Sequence, residues 1–275
     1  MNTKQLILVT FKLITLLLIF SAEPTWAGSN RSSDIQHEPL VVSEFAKNVE
    51  KYAASQGARA FIIGRVGQPE KDLPKGIAFT HTAIAVYSSI KLESGELLKG
   101  YAIYNLYQND NNLDRSSLVT DYPVDFFWGV SSLKAGIIIP TESLQQRLIQ
   151  AIAAGNGEAI HNPKYSVLAN PFNTKYQNCT EHTLDLINSA IYETTDIKQL
   201  KVNSKAYFDP QKVKMSGLKL ALGGLFMDGV HNSDHKGKPR TATFTSIAKY
   251  LQQFELMNKA VTLDANGEVT PLLKS

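Results

Sequence analysis

Apolar residues recur every three to four positions in several segments, and this spacing predicts amphipathic helices. Such helices are predicted over residues 43–57, 141–155 and 245–257, and a further one opens at Cys179. Capping residues precede the first two, and Gly57 is a natural terminator of the first. The helical segments are separated by stretches with a different period.

Four stretches rich in β-branched and aromatic residues predict strands, namely 58–66, 78–88, 99–108 and 135–140. The short turn Glu93-Ser94-Gly95-Glu96 makes the second and third an antiparallel hairpin. The order of elements therefore predicts an α+β fold, an antiparallel sheet with packed helices.

The first 27 residues have the features of a cleavable secretory signal. Two lysines precede or border the apolar run Leu13–Phe20, which is too short to span a bilayer comfortably. Cleavage is predicted after Ala27, which gives a periplasmic or secreted protein with no stable membrane insertion once the signal is cut. An uncleaved anchor is the alternative.

The rest of the chain is predicted to form one domain with additions at both ends. Residues 28–40 are expected to be a flexible N-terminal segment, 41–212 an α+β core, and 213–275 a C-terminal extension packing on the core.

Composition narrows the function classes. Lys and Arg number 28 against 25 for Asp and Glu, a net charge of +3, which gives no support for a nucleic-acid partner. No phosphate-binding glycine loop, Gly-x-Ser-x-Gly elbow or His-Glu-x-x-His motif is present. We therefore expect no cofactor and no metal.

Cys179 is the only cysteine of the chain. An exported protein normally pairs its cysteines, so a solitary one is either packing or a thiol kept free for chemistry. Asn178 is a preferred N-cap and places Cys179 in the first helical turn, where the helix dipole favours a thiolate. The alternative is a small buried hydrophobe.

His81 is the predicted partner of the thiol. Strand alternation places it on a face with alanines 83 and 85, which leaves room for a helix end to approach. Asn105, on the next strand, is the candidate for orienting the imidazole, with Gln108 in reserve. A structural histidine, and an asparagine that satisfies an edge backbone group, are the alternatives.

Other polar residues near the thiol complete the predicted site. His182 lies three residues after Cys179 on the same helix surface and is a rival base. Gln177, Asn178, Tyr104 and His182 are predicted to contact the substrate. A metal pair of Cys179 and His182 is disfavoured, because one cysteine leaves too few soft ligands.

These motifs together resemble a bacterial family of exported proteins catalogued as domain of unknown function 2145. The resemblance covers roughly residues 40–200 and rests on the segments 63–68, 79–83, 101–108, 121–128 and 165–184. More loosely, a histidine strand that precedes a cysteine helix resembles the circularly permuted papain-like enzymes of the NlpC and lecithin:retinol acyltransferase kind. Those enzymes order their groups as histidine, second polar residue and cysteine.

The looser resemblance implies a permuted papain-like, NlpC-like architecture, with Cys179 as nucleophile, His81 as general base and acid, and Asn105 as orienting group. The function expected on that basis is a periplasmic cysteine hydrolase or acyl transferase. It would act on an amide or ester bond of a small peptide, glycopeptide or lipid, with a cell-wall peptide favoured by analogy. The alternative is a non-catalytic periplasmic binding module that retains the papain-like groove.

Overall fold

The structure of the chain is a computed structural model that describes residues 36–69, 73–91, 94–213 and 229–273. The predicted signal peptide, residues 1–27, lies outside the described residues, and so does most of the predicted flexible segment.

The described residues contain helices and strands in mixed order. The helices are α1 (Pro39–Ser55), α2 (Pro123–Phe127), α3 (Glu142–Ala153), α4 (Asn156–Ala159), α5 (Cys179–Tyr192), α6 (Ile197–Tyr207) and α7 (Phe244–Gln253). The strands are β1 (Ala60–Val66), β2 (His81–Lys91), β3 (Leu97–Asn109), β4 (Asn112–Asp121), β5 (Ser132–Pro140), β6 (Gln211–Lys212), β7 (Arg240–Thr241), β8 (Met257–Asp264) and β9 (Val269–Pro271).

Seven of these strands form one antiparallel sheet in the order β4-β3-β2-β1-β5-β8-β9. The predicted hairpin is confirmed, with Ile84 of β2 opposite Tyr104 of β3. The coarse fold class, an antiparallel sheet with packed helices, is therefore correct. Strands β6 and β7 pair separately.

Helices cover both faces of the sheet, and alternation along β2 separates the two cores. Ala83 and Ala85 face α1 and α2, whereas Ile84 and Val86 face α3, α5 and α7. On the face covered by α3, α5 and α7, two glycines leave room for the Phe244 ring of α7. A Cβ at Gly64 would lie 2.8 Å from that ring, and one at Gly136 would also collide with it. Glycine therefore lets α7 approach the sheet closely.

Several element boundaries differ from the predictions, and two of them are helix ends. Helix α1 begins at Pro39 rather than at Ser43, because proline at the first helical position has a preset φ and needs no hydrogen-bond partner for its nitrogen. The late helix ends at Gln253, and Met257 already begins β8. Strand β8 pairs with β5, so part of the predicted extension 213–275 is a strand of the central sheet.

Candidate functional site

Helix α5 places Cys179 at its first position. The Asn178 side chain caps the helix by accepting a hydrogen bond from the Glu181 N–H at 2.9 Å, as predicted from sequence. The N–H groups of Cys179 and Thr180 make no hydrogen bond among the described residues, as is usual for a first turn. Cys179 is only 4 % exposed and packs beside Leu106.

The cysteine sulfur lies at the beginning of strand β2. Its Sγ is 4.0 Å from the carbonyl oxygen of Thr80, the residue that precedes His81. Covalent geometry then puts the sulfur within about 7 Å of the His81 Cα. The hydroxyl of Thr180 holds the two elements together by donating to the Thr82 hydroxyl at 3.1 Å. The beginning of α5 and the beginning of β2, which are distant in sequence, are thus in contact.

The imidazole of His81 is held on the other side of its strand. Its Nε2 is 2.9 Å from Oδ1 of Asn105, and its ring stacks on Tyr107 with centroids 4.8 Å apart. Burial, followed by the nearby Arg65 guanidinium, lowers the pKa of His81 well below its ordinary value. The neutral imidazole is therefore the stable form near neutral pH, and it is the form that accepts a proton.

Cys179 and His81 are close along the backbone but share no hydrogen bond. The expected approach of the helix end over the alanine face is wrong. Helix α5 packs on the opposite face, over Ile84, because its apolar stripe needs the larger side chains there, while α1 and α2 cover the alanines. The Nδ1 atom of His81 is buried and has no hydrogen-bond partner among the described residues.

Asn105 contacts His81, whereas Gln108, the alternative orienting residue, does not. The Gln108 side chain points to the other face of β3 and donates to the Leu113 carbonyl oxygen at 2.7 Å. Strand alternation accounts for this, because Asn105 and Gln108 are an odd number of residues apart.

The residues predicted to contact substrate fall into two groups. Gln177 and Asn178 have structural partners, since Gln177 donates to Asp185 at 2.9 Å and Asn178 caps α5. Tyr104 and His182 line a small cavity of about 100 Å³ beside α5. Nε2 of His182 is 3.0 Å from the Gly157 carbonyl oxygen. His182 is therefore held by Gly157, and no hydrogen bond among the described residues pairs it with the thiol.

Sequence reasoning missed the residues behind Asn105. Asp121, the last residue of β4, accepts hydrogen bonds from the Tyr107 hydroxyl at 2.6 Å and from Nδ2 of Asn105 at 3.2 Å. We call His81, Asn105, Tyr107 and Asp121 the relay cluster. Tyr107 was detectable, because it lies two residues after Asn105 and so on the same face; Asp121 was not, because β4 was not predicted.

A second buried polar group lies under α5. Nζ of Lys201, on α6, is 2.5 Å from Glu181 and 2.7 Å from Asp185. We call these three residues the ion cluster. Burial raises the pKa of Glu181 to about 8, and the nearby Asp185 carboxylate adds to this rise, while the Lys201 ammonium opposes it.

Neither metal-binding nor membrane-spanning features are found in the described part of the chain. No group of three or more His, Cys, Asp or Glu side chains there is arranged to hold a metal ion. None of the helices formed by the described residues is long and apolar enough to cross a membrane.

Comparison with known proteins gives one match. A family model described as "Uncharacterized protein conserved in bacteria (DUF2145)" matches residues 52–251. No curated protein and no solved structure matches the chain.

Proposed function

Because the chain belongs to this bacterial family, whose description names no activity, we propose a function from the geometry at the beginning of β2. The proposed protein is a periplasmic cysteine hydrolase or acyl transferase that acts on an amide or ester bond, with a cell-wall peptide as the favoured substrate by analogy. The finer architecture proposed with it is the permuted papain-like one.

One observation carries the proposal. Asn105 occupies Nε2 of His81, and the other imidazole nitrogen is buried without a partner among the described residues. The Cys179 sulfur lies 4.0 Å from the carbonyl oxygen of Thr80, the residue before His81. An unsatisfied buried nitrogen costs about 1–3 kcal/mol, so its retention calls for an explanation. A base that awaits a thiol proton is such an explanation.

The proposed reaction has two stages. Because the imidazole lies on the other face of β2 from α5, the Cys179 proton would pass to Nδ1 of His81 through one water at the start of the strand as the sulfur attacks the substrate carbonyl. The imidazolium would then return a proton by the same route to the leaving amine or alcohol. Water or an acceptor alcohol next attacks the thioester, His81 again moves the proton, and the thiol is released. The free N–H groups of Cys179 and Thr180 would stabilise the oxyanion.

Reaction of Cys179 with iodoacetamide tests the proposal. The rate is measured at pH 6 and at pH 9, and the iodoacetamide ratio is the rate at pH 6 divided by the rate at pH 9. This ratio is compared among variants, because an effect of burial that is the same at both pH values cancels in it. We expect the rate at pH 6 divided by the rate at pH 9 to fall about tenfold in His81→Ala, which is less than the roughly 10²–10⁴-fold that a positioned general base contributes to a catalysed reaction.

His182→Gln is the control, since His182 is the other base near the thiol, and we expect it to leave the ratio unchanged. A ratio in the wild-type protein equal to that of free cysteine, and the same in His81→Ala, would refute the proposal.

A second function is favoured by the burial of the two reacting groups. Cys179 is 4 % and His81 1 % exposed, whereas the cavity beside them, lined by Tyr104 and His182, is open to a small group. Leu118 lines this cavity and also packs against Cys179. A non-catalytic binding module that retains the groove is therefore the alternative, and it predicts slow labelling at both pH values.

A further inference from the structure

We propose that Asp121 is a positioning residue that sets the tautomer of His81 by fixing the amide of Asn105. This inference rests on the proposed function, because the tautomer matters only if His81 takes a proton from Cys179. It concerns a residue one strand further from the thiol than any residue of the predicted site.

Asp121 is placed to act on Asn105 through a single oxygen. The side chain is buried at the end of β4, with an exposure of 1 %. Its Oδ2 accepts from Nδ2 of Asn105 and from the hydroxyl of Tyr107. A carboxylate oxygen only accepts, so the group of Asn105 that faces it must be the NH₂.

A second contact of the same NH₂ supports the same orientation of the amide. Nδ2 of Asn105 also donates to the carbonyl oxygen of Ile103 at 3.2 Å. A flipped amide would place its oxygen against two acceptor oxygens, one of Ile103 and one of Asp121, and would lose both hydrogen bonds. The network therefore fixes the amide with Oδ1 toward His81.

This orientation decides which imidazole nitrogen carries the proton. Oδ1 of Asn105 can only accept, so Nε2 of His81 must donate, and the neutral ring then has its lone pair on Nδ1. Nδ1 is the nitrogen without a partner, and it is the one proposed to receive the thiol proton.

Without Asp121, the Ile103 carbonyl oxygen is the one acceptor left for the NH₂ of Asn105 among the described residues. A flip would turn its NH₂ toward Nε2 of His81, which would then have to accept, so the proton would move to Nδ1. The ring would no longer be a base for Cys179.

Nitrogen NMR of ¹⁵N-histidine-labelled protein reports the tautomer directly. In the wild-type protein and in Asp121→Ala, the two ring nitrogens of His81 are assigned by comparison with His81→Gln. We expect a protonated Nε2 in the wild-type protein, and a mixture of tautomers or a protonated Nδ1 in Asp121→Ala.

The double variant Asn105→Asp/Asp121→Ala separates positioning from a structural role. It keeps one carboxylate in the cluster, and a carboxylate at position 105 accepts from Nε2 in either rotamer. We expect the protonated Nε2 to return in this variant. A folded Asp121→Ala that keeps Nε2 fully protonated would overturn the inference, and so would a double variant that fails to restore it.

The NMR readout does not depend on any reaction of the thiol. If the tautomer follows Asp121 but the iodoacetamide ratio is that of free cysteine, the proposed function fails and the positioning stands. If the ratio depends on His81 but the tautomer ignores Asp121, the positioning fails alone.

Discussion

The relay cluster and the ion cluster are both buried and lie on opposite faces of the same sheet, yet they are built differently. In the ion cluster, one ammonium on α6 contacts two carboxylates on α5, so opposite charges meet between two helices. In the relay cluster, the hydrogen bonds are donated in one direction, from His81 to Asn105 and from Asn105 to Asp121.

The difference lies in where each set of contacts ends. The Lys201 ammonium is shared between its two carboxylates, which fastens α6 to α5 and so fixes the helix that holds Cys179. The relay cluster ends at a nitrogen with no partner among the described residues. We therefore expect changes in the ion cluster to alter mainly stability, and changes in the relay cluster to alter mainly thiol reactivity.

The largest expected effect is on stability, in Lys201→Met. Methionine has a similar length but removes the ammonium that donates to both Glu181 and Asp185, so the buried carboxyl groups of the ion cluster lose their cation. Breaking a buried ion pair by removing one partner costs about 3–5 kcal/mol. Urea unfolding followed by circular dichroism measures this loss.

Lys198→Met, on the exposed side of the same helix, is the matched control and should change stability by less than about 0.5 kcal/mol. A loss below about 1 kcal/mol in Lys201→Met would mean that the ion cluster does not hold the helices together.

This cluster also shows why sequence reasoning found some helices and missed another. Helices α3 and α5 were predicted because apolar side chains occupy their core faces. Helix α6 was missed because Lys201 and Ser204 are buried where the period requires apolar residues. The burial of Lys201 could not be predicted from the sequence of α6, because the carboxyl groups that pair with it belong to α5.

The second prediction concerns pH. The pKa of Glu181 is raised from 4.5 to about 8, so the folded protein binds more protons than the unfolded chain between these values. The stability that this group contributes is fully present below pH 4.5 and is lost as the pH rises through 8. The slope approaches about 1.4 kcal/mol per pH unit.

Urea unfolding of the wild-type protein and of Glu181→Gln between pH 5 and pH 9 tests this expectation. The pKa values of His81, His161 and His182 are lowered, so their contribution runs the other way, lost as the pH falls below 6.5. The difference between the two proteins isolates Glu181. It should shrink with rising pH, and Glu96→Gln, an exposed control, should show no such trend.

As with the helices, some residues of the candidate site could be predicted from sequence and others could not. Cys179, His81 and Asn105 were found because each stands out in its own element, one at a helix start and two within apolar strands. Asp121 was missed because β4 is an edge strand of mostly polar residues, without the alternation that predicts strands. The choice of face for α5 depended on packing between distant segments, which no local pattern encodes.

The smallest expected effect on thiol reactivity is that of Tyr107→Phe, which removes one hydrogen bond from the relay cluster but leaves Asn105 in contact with Asp121. The phenylalanine ring can still stack on His81. Loss of the hydroxyl leaves a buried carboxylate with one donor fewer, at a cost of about 1–3 kcal/mol in stability. The iodoacetamide ratio between pH 6 and pH 9 should stay within about twofold of the wild-type ratio, since the amide orientation is unchanged.

Tyr101→Phe is the matched control, because the Tyr101 hydroxyl is buried on the same face of β3 and donates to the Ala58 carbonyl oxygen at 2.6 Å, away from the relay cluster. Tyr101→Phe should lower stability by a similar amount and leave the iodoacetamide ratio unchanged. If Tyr107→Phe instead lowered the ratio as much as His81→Ala, the Tyr107 hydroxyl would be needed for the reactivity of the thiol. The residues that orient His81 would then have to include that hydroxyl, and the orientation of the Asn105 amide alone would not explain the difference between the two clusters.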